Sequence, residues 1–173
     1  ENNTLGLNSN FNSQGELSPE NLPVIENGEM KNFLINAATA KEYKLVSNNA
    51  DPEQEVMRSI EVRAGTLNEK DVLQRLGTGL FLTQFTYINW SDPQAARITG
   101  MTRFACFWVE NGEIAGPIQD LRFDDTLYNL FGGELLDLTS QASTFVSTST
   151  YQKRALGGMK VPGALLNKMN FTL

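Results

Sequence analysis

Few side chains in this sequence could do covalent or acid–base work. Asp124 and Asp125 are the plainest candidates, because paired carboxyls can serve as general acid and base. Aspartate before a helix also accepts hydrogen bonds from the free amides and suits the helix dipole, and a helix through Leu130-Phe131 to Gly132-Gly133 is expected here, so capping is the better account. Cys106 sits inside the apolar run 104–109, where a buried and unreactive thiol is expected. Gly77-Thr78-Gly79 lacks a full phosphate-binding glycine pattern, and it follows a predicted helix instead of feeding one. The chain has no histidine and one cysteine. Zinc-hydrolase ligand sets and histidine-activated nucleophiles therefore lack their essential groups. No catalytic and no metal-ligating residue is assigned.

Recognition is a different matter. Tyr87, Trp90, Arg97 and Arg103 flank a stretch, 89–101, that reads as a loop longer than a simple hairpin needs. Aromatic side chains together with arginine are the composition of interface anchors, so these four are candidates for holding a peptide or a partner. A loop packed on its own domain remains the alternative.

The elements that must position these residues are read from periodicity. Residues 1–23, rich in Asn, Ser and Gly, have the composition of a flexible linker or arm, and the opening at Glu1 without methionine suggests a missing upstream domain. Residues 24–173 form the folded domain. Asn27-Gly28 and Asn111-Gly112 are hairpin turns, and the matching hairpins around them suggest either a duplicated unit or merely a favourable turn. Helices are expected over 36–45, capped by Asn36; over 67–76, opened by a Thr66/Glu69 capping box; and after Asp124 or Asp125. Strands are expected over 57–63, 80–88, 104–110, 113–118, 143–150 and 163–173, with Pro162 suggesting an edge. The fold class is α+β, mostly antiparallel, with strands able to curl into a barrel-like sheet beneath about three short helices.

Composition narrows the partners. A net charge of −6 and scattered basic residues argue against direct nucleic-acid binding. There is neither an apolar run of spanning length nor a signal-type start, and a lone cysteine fits a reducing compartment, so a cytoplasmic location away from the membrane is expected.

The letters also carry a resemblance. The run Phe104-Ala105-Cys106-Phe107-Trp108-Val109-Glu110-Asn111-Gly112-Glu113-Ile114-Ala115-Gly116-Pro117-Ile118, with the expected helix over 124–131, resembles the C-terminal domain of the TldD/PmbA proteins, often labelled modulators of DNA gyrase. Ile25-Glu26-Asn27-Gly28 with its helix, and Gly79-Leu80-Phe81-Leu82-Thr83-Gln84-Phe85, resemble the same family in the same order. The resemblance covers 24–173.

It implies two-domain cytoplasmic proteins that dimerise. The active members are zinc peptidases that cut unfolded peptides in a closed chamber, with an upstream HExxxH motif and a cysteine near the C-terminus. The comparable stretch here, 147–158, reads STSTYQKRALGG without cysteine, and Cys106 does not correspond to the ligand position. The resemblance thus implies a non-catalytic C-terminal domain of a TldD/PmbA-type peptidase assembly, contributing dimer contacts and a peptide-holding surface along a strand edge. It implies no cofactor in this chain, zinc in a full-length protein that carries the upstream motif, and a homodimer or a heterodimer with a related subunit. The alternatives are a protein-interaction scaffold using the 87–103 region, or part of an active zinc metallopeptidase.

Overall fold

The computed structural model describes residues 1–48, 50, 51, 55–151 and 154–172. In chain order the elements are β1 (Ile25–Glu26), β2 (Glu29–Met30), α1 (Ala37–Tyr43), β3 (Ser59–Glu61), α2 (Val72–Leu76), β4 (Gly79–Phe81), β5 (Phe85–Asp92), β6 (Arg97–Thr102), β7 (Phe107–Glu110), β8 (Glu113–Pro117), β9 (Arg122–Thr126), a π-helical turn at Asn129–Gly133, β10 (Leu135–Val146), β11 (Gly158–Leu166) and β12 (Phe171–Thr172). The fold is α+β. Its sheets run β1-β2, β10-β11-β3, β12-β9-β6-β5 and β4-β7-β8, and among the described residues none closes into a barrel. The pairs β1–β2, β4–β7, β5–β6, β6–β9, β7–β8 and β9–β12 are antiparallel, and β3 with β11 is parallel.

The chain divides into two compact units, one of Glu1–Arg63 with Ala142–Val161, the other of Ala64–Gln141 with Pro162–Leu173. In the first, Asn27 and Gly28 take φ of 52° and 79°, the left-handed pair that a two-residue hairpin turn requires, and Ile25 pairs with Met30. Asn36 caps α1 by accepting from the Thr39 amide at 2.8 Å. Residues 1–23 belong to this unit. The Asn2 amide donates to the Ser59 carbonyl at 2.7 Å, and the Asn2 side chain donates to Glu61 at 2.6 Å. Asn3, Asn12, Asn36 and Ser59 are buried here. Asparagine, which composition assigns to linkers, supplies through its amide the donors and acceptors that a polar interior needs.

The second unit carries an apolar core in which Val109 and Phe123 are almost fully enclosed, with Leu67, Cys106, Leu130 and Leu165 also buried. Several sequence expectations change here. The capping box is not formed: the Thr66 amide and hydroxyl donate to the Asp137 carboxylate, Glu69 accepts from the Gln141 amide at 2.7 Å, and Asn68 caps the short turn before α2. Both box residues are drawn instead to β10. The strand expected over 80–88 is two strands, β4 and β5, in different sheets. Between them, Thr83 Oγ1 donates to the Ala105 carbonyl and the Gln84 carbonyl accepts from the Arg103 amide.

Asp124 and Asp125 lie in β9 and do not begin a helix; the turn that follows is capped by Thr126 Oγ1, which accepts from the Asn129 amide at 3.1 Å. Pro162 lies within β11, the middle strand of its sheet, but the β3 register ends at Lys160, so no ladder hydrogen bond to β3 is asked of it. Strand β10 begins at Leu135, well before the expected 143, and β11 begins at Gly158.

Candidate functional site

The stretch expected to be a long loop is a β-hairpin. Phe85, Thr86, Tyr87, Ile88 and Trp90 are residue types that pack well on a pleated surface, and they build β5. Asp92 then turns the chain, its Oδ1 accepting from the Gln94 and Ala95 amides at 3.0 and 3.2 Å. Pro93 starts the bend, and its carbonyl accepts from the Ala96 amide. The polar turn residues hid the strand ends in the sequence.

β5 is the outer strand of its four-stranded sheet and, among the described residues, pairs on one side only, with β6. The register is interrupted twice, between Thr86 and Asn89 and between Trp90 and Asp92. Tyr87 occupies the first bulge with φ of 53°, a left-handed conformation that an aromatic residue adopts at a cost of about 1–3 kcal/mol. It is 74% exposed, and Trp90 is 56% exposed. Bulges of this kind re-aim a side chain, here that of Tyr87.

Three of the four recognition candidates, Tyr87, Trp90 and Arg97, thus share one hairpin. Arg97 is already engaged, donating from Nη1 to Asp124 Oδ1 at 2.9 Å. That hydrogen bond, with a second from Ser91, holds the Asp124 carboxyl below its usual value. Arg103 lies beyond β6, with its guanidinium 5.2 Å from the centroid of the Phe104 ring. The structure adds a residue that the sequence reading passed over. Arg122 of β9 stands opposite Met101 and, with Tyr87, Thr99, Gly100 and Met101, lines an open groove of about 230 Å³. Period-two alternation in Arg122, Asp124 and Thr126 was its only sequence signal.

Cys106 is 4% exposed, with Sγ 3.9 Å from the Gln84 carbonyl oxygen and 3.8 Å from that of Arg103. A thiol enclosed against backbone carbonyls does not fit a zinc ligand set. No group of three or more candidate metal-binding side chains occurs among the described residues.

Residues 5–173 match the model of the PmbA/TldA metallopeptidase C-terminal domain. The chain belongs to this family. The PmbA/TldA match begins inside the stretch whose composition suggested a linker. Solved structures agree on the fold. A candidate modulator of a DNA gyrase from Thermotoga maritima superposes with a TM-score of 0.72 at 18% identity, covering 95% of this chain and 35% of its own. TldE from Thermococcus kodakarensis gives 0.73 at 16% identity, covering 94% and 36%. A candidate modulator of DNA gyrase from Bacteroides thetaiotaomicron gives 0.69 at 14%, covering 95% and 33%. The chain therefore spans about a third of the length of these structures. No curated protein matches it. No helix among the described residues is long and apolar enough to cross a membrane.

Proposed function

We propose that this PmbA/TldA C-terminal domain is a non-catalytic part of a peptidase assembly that holds unfolded peptide by backbone pairing along β5. The observation that carries the proposal is the edge itself: an eight-residue outer strand that exposes Tyr87, Ile88 and Trp90. An extended peptide added to such an edge gains main-chain hydrogen bonds, while exposed aromatic groups cover its side chains. The domain also contributes dimer contacts, with a like or related subunit. Any zinc belongs to a longer protein and is held by residues outside this chain, a role supported by the absence of histidine and the enclosed Cys106.

Amide hydrogen exchange with and without an unstructured peptide tests the proposal. Slowed exchange across 85–92 on peptide addition is the expected result, and Trp90→Ala should weaken binding about tenfold or more, as truncation of an aromatic anchor commonly does. Protection confined to other strands would remove β5 from the role. The scaffold alternative, in which Arg97 anchors a folded partner, is less favoured because Arg97 is already paired with Asp124.

A further inference from the structure

The groove beside the Tyr87 bulge has a chemistry of its own. Arg122 makes no ion pair and no side-chain hydrogen bond with any described residue; its charge favours the ionised form of Asp124 without a hydrogen bond between them. Two carboxylates lie two residues away in sequence: Asp124 is taken by Arg97, and Asp120 does not line the groove. The groove wall is otherwise neutral, formed by Tyr87, Thr99, Gly100 and Met101. A planar guanidinium with free donors, next to a phenol, suits a carboxylate, which it can hold through two parallel hydrogen bonds. The chain as a whole carries −6, a field that repels anions in general. A carboxylate preference would then have to arise from this groove, not from a diffuse basic surface.

We propose that the groove takes a carboxylate of the peptide lying on β5, so that peptides with an acidic side chain or a free C-terminus are the favoured class. The inference rests on the peptide-holding role proposed above. It adds a chemical selectivity that backbone pairing alone does not supply.

Fluorescence anisotropy with the intact chain and four labelled, unstructured peptides of one length separates the two sources of carboxylate. The peptides carry a central Glu or its Gln isostere, each with a free or an amidated C-terminus. The expected result is binding about tenfold tighter for the carboxylate-bearing member of one pair. Preference for Glu names the side chain as the ligand, and preference for the free acid names the terminus. Arg122→Gln should collapse the ratio and Arg122→Lys should keep part of it, with circular dichroism confirming that each variant folds. Equal binding of all four peptides would leave peptide holding on β5 intact and overturn the carboxylate site, as would a ratio that survives Arg122→Gln. Binding of none would overturn both.

Discussion

Asp124 and Asp125 show how little an adjacent pair of identical letters says about roles. In β9 their side chains fall on opposite faces of the strand. Asp124 is part-exposed and paired with Arg97, whereas Asp125 is 2% exposed and accepts from the Thr126 amide at 2.8 Å, Asn129 Nδ2 at 3.0 Å and the Asn170 amide at 3.0 Å. Asp125→Ala leaves these donors without their acceptor and should destabilise the fold by on the order of 3 kcal/mol, read from urea unfolding. Asp124→Ala, which breaks a part-exposed pair, should cost about 1 kcal/mol or less. The sequence did point to structural work for the pair, but it chose helix capping. Which carboxylate is enclosed depends on Asn170, more than forty residues downstream, and no local pattern reports that.

At the scale of elements, the turns were legible and the strand limits were not. Asn27-Gly28 and Asn111-Gly112 adopt the left-handed conformations that their residue types favour. The β5–β6 hairpin was missed because its turn is a proline bend held by an aspartate side chain, set among residues that read as loop. Gly100 fixes the packing beneath this hairpin. A Cβ there would sit 2.8 Å from the Phe123 ring and 3.2 Å from the Thr86 carbonyl oxygen, and the enclosed Phe123 has little room to yield. Gly100→Ala should therefore destabilise by about 1–3 kcal/mol in thermal or urea melts. Gly116→Ala, where a Cβ meets nothing within 4 Å, is the control and should change stability by about 0.5 kcal/mol or less.

For the whole molecule, three carboxyls set a common response to acid. Backbone and hydroxyl hydrogen bonds from Thr66 lower Asp137, side-chain hydrogen bonds from Arg97 and Ser91 lower Asp124, and the side-chain amide of Asn2 followed by Lys160 lowers Glu61. Each is more acidic folded than unfolded, so the unfolded chain takes up protons first as pH falls. Their stabilisation is complete above the ordinary carboxyl value of about 4 and is lost as pH drops through the lower folded-state values. The melting temperature should be level above about pH 5 and decline below about pH 4, with a shallower decline in an Asp124→Asn, Asp137→Asn, Glu61→Gln variant. The family and the α+β class could be read from ordered motifs, whereas the polar interior around Asn3 and Asn12 could not, because composition does not reveal which asparagines find partners. The parallel pairing of β3 with β11 also bears on how the chain is made, since Glu61 and Lys160 lie 99 residues apart. On a ribosome adding about 5–20 residues per second, β3 would wait roughly 5–20 s for its partner. For that interval the nascent chain carries β3 without its β11 partner.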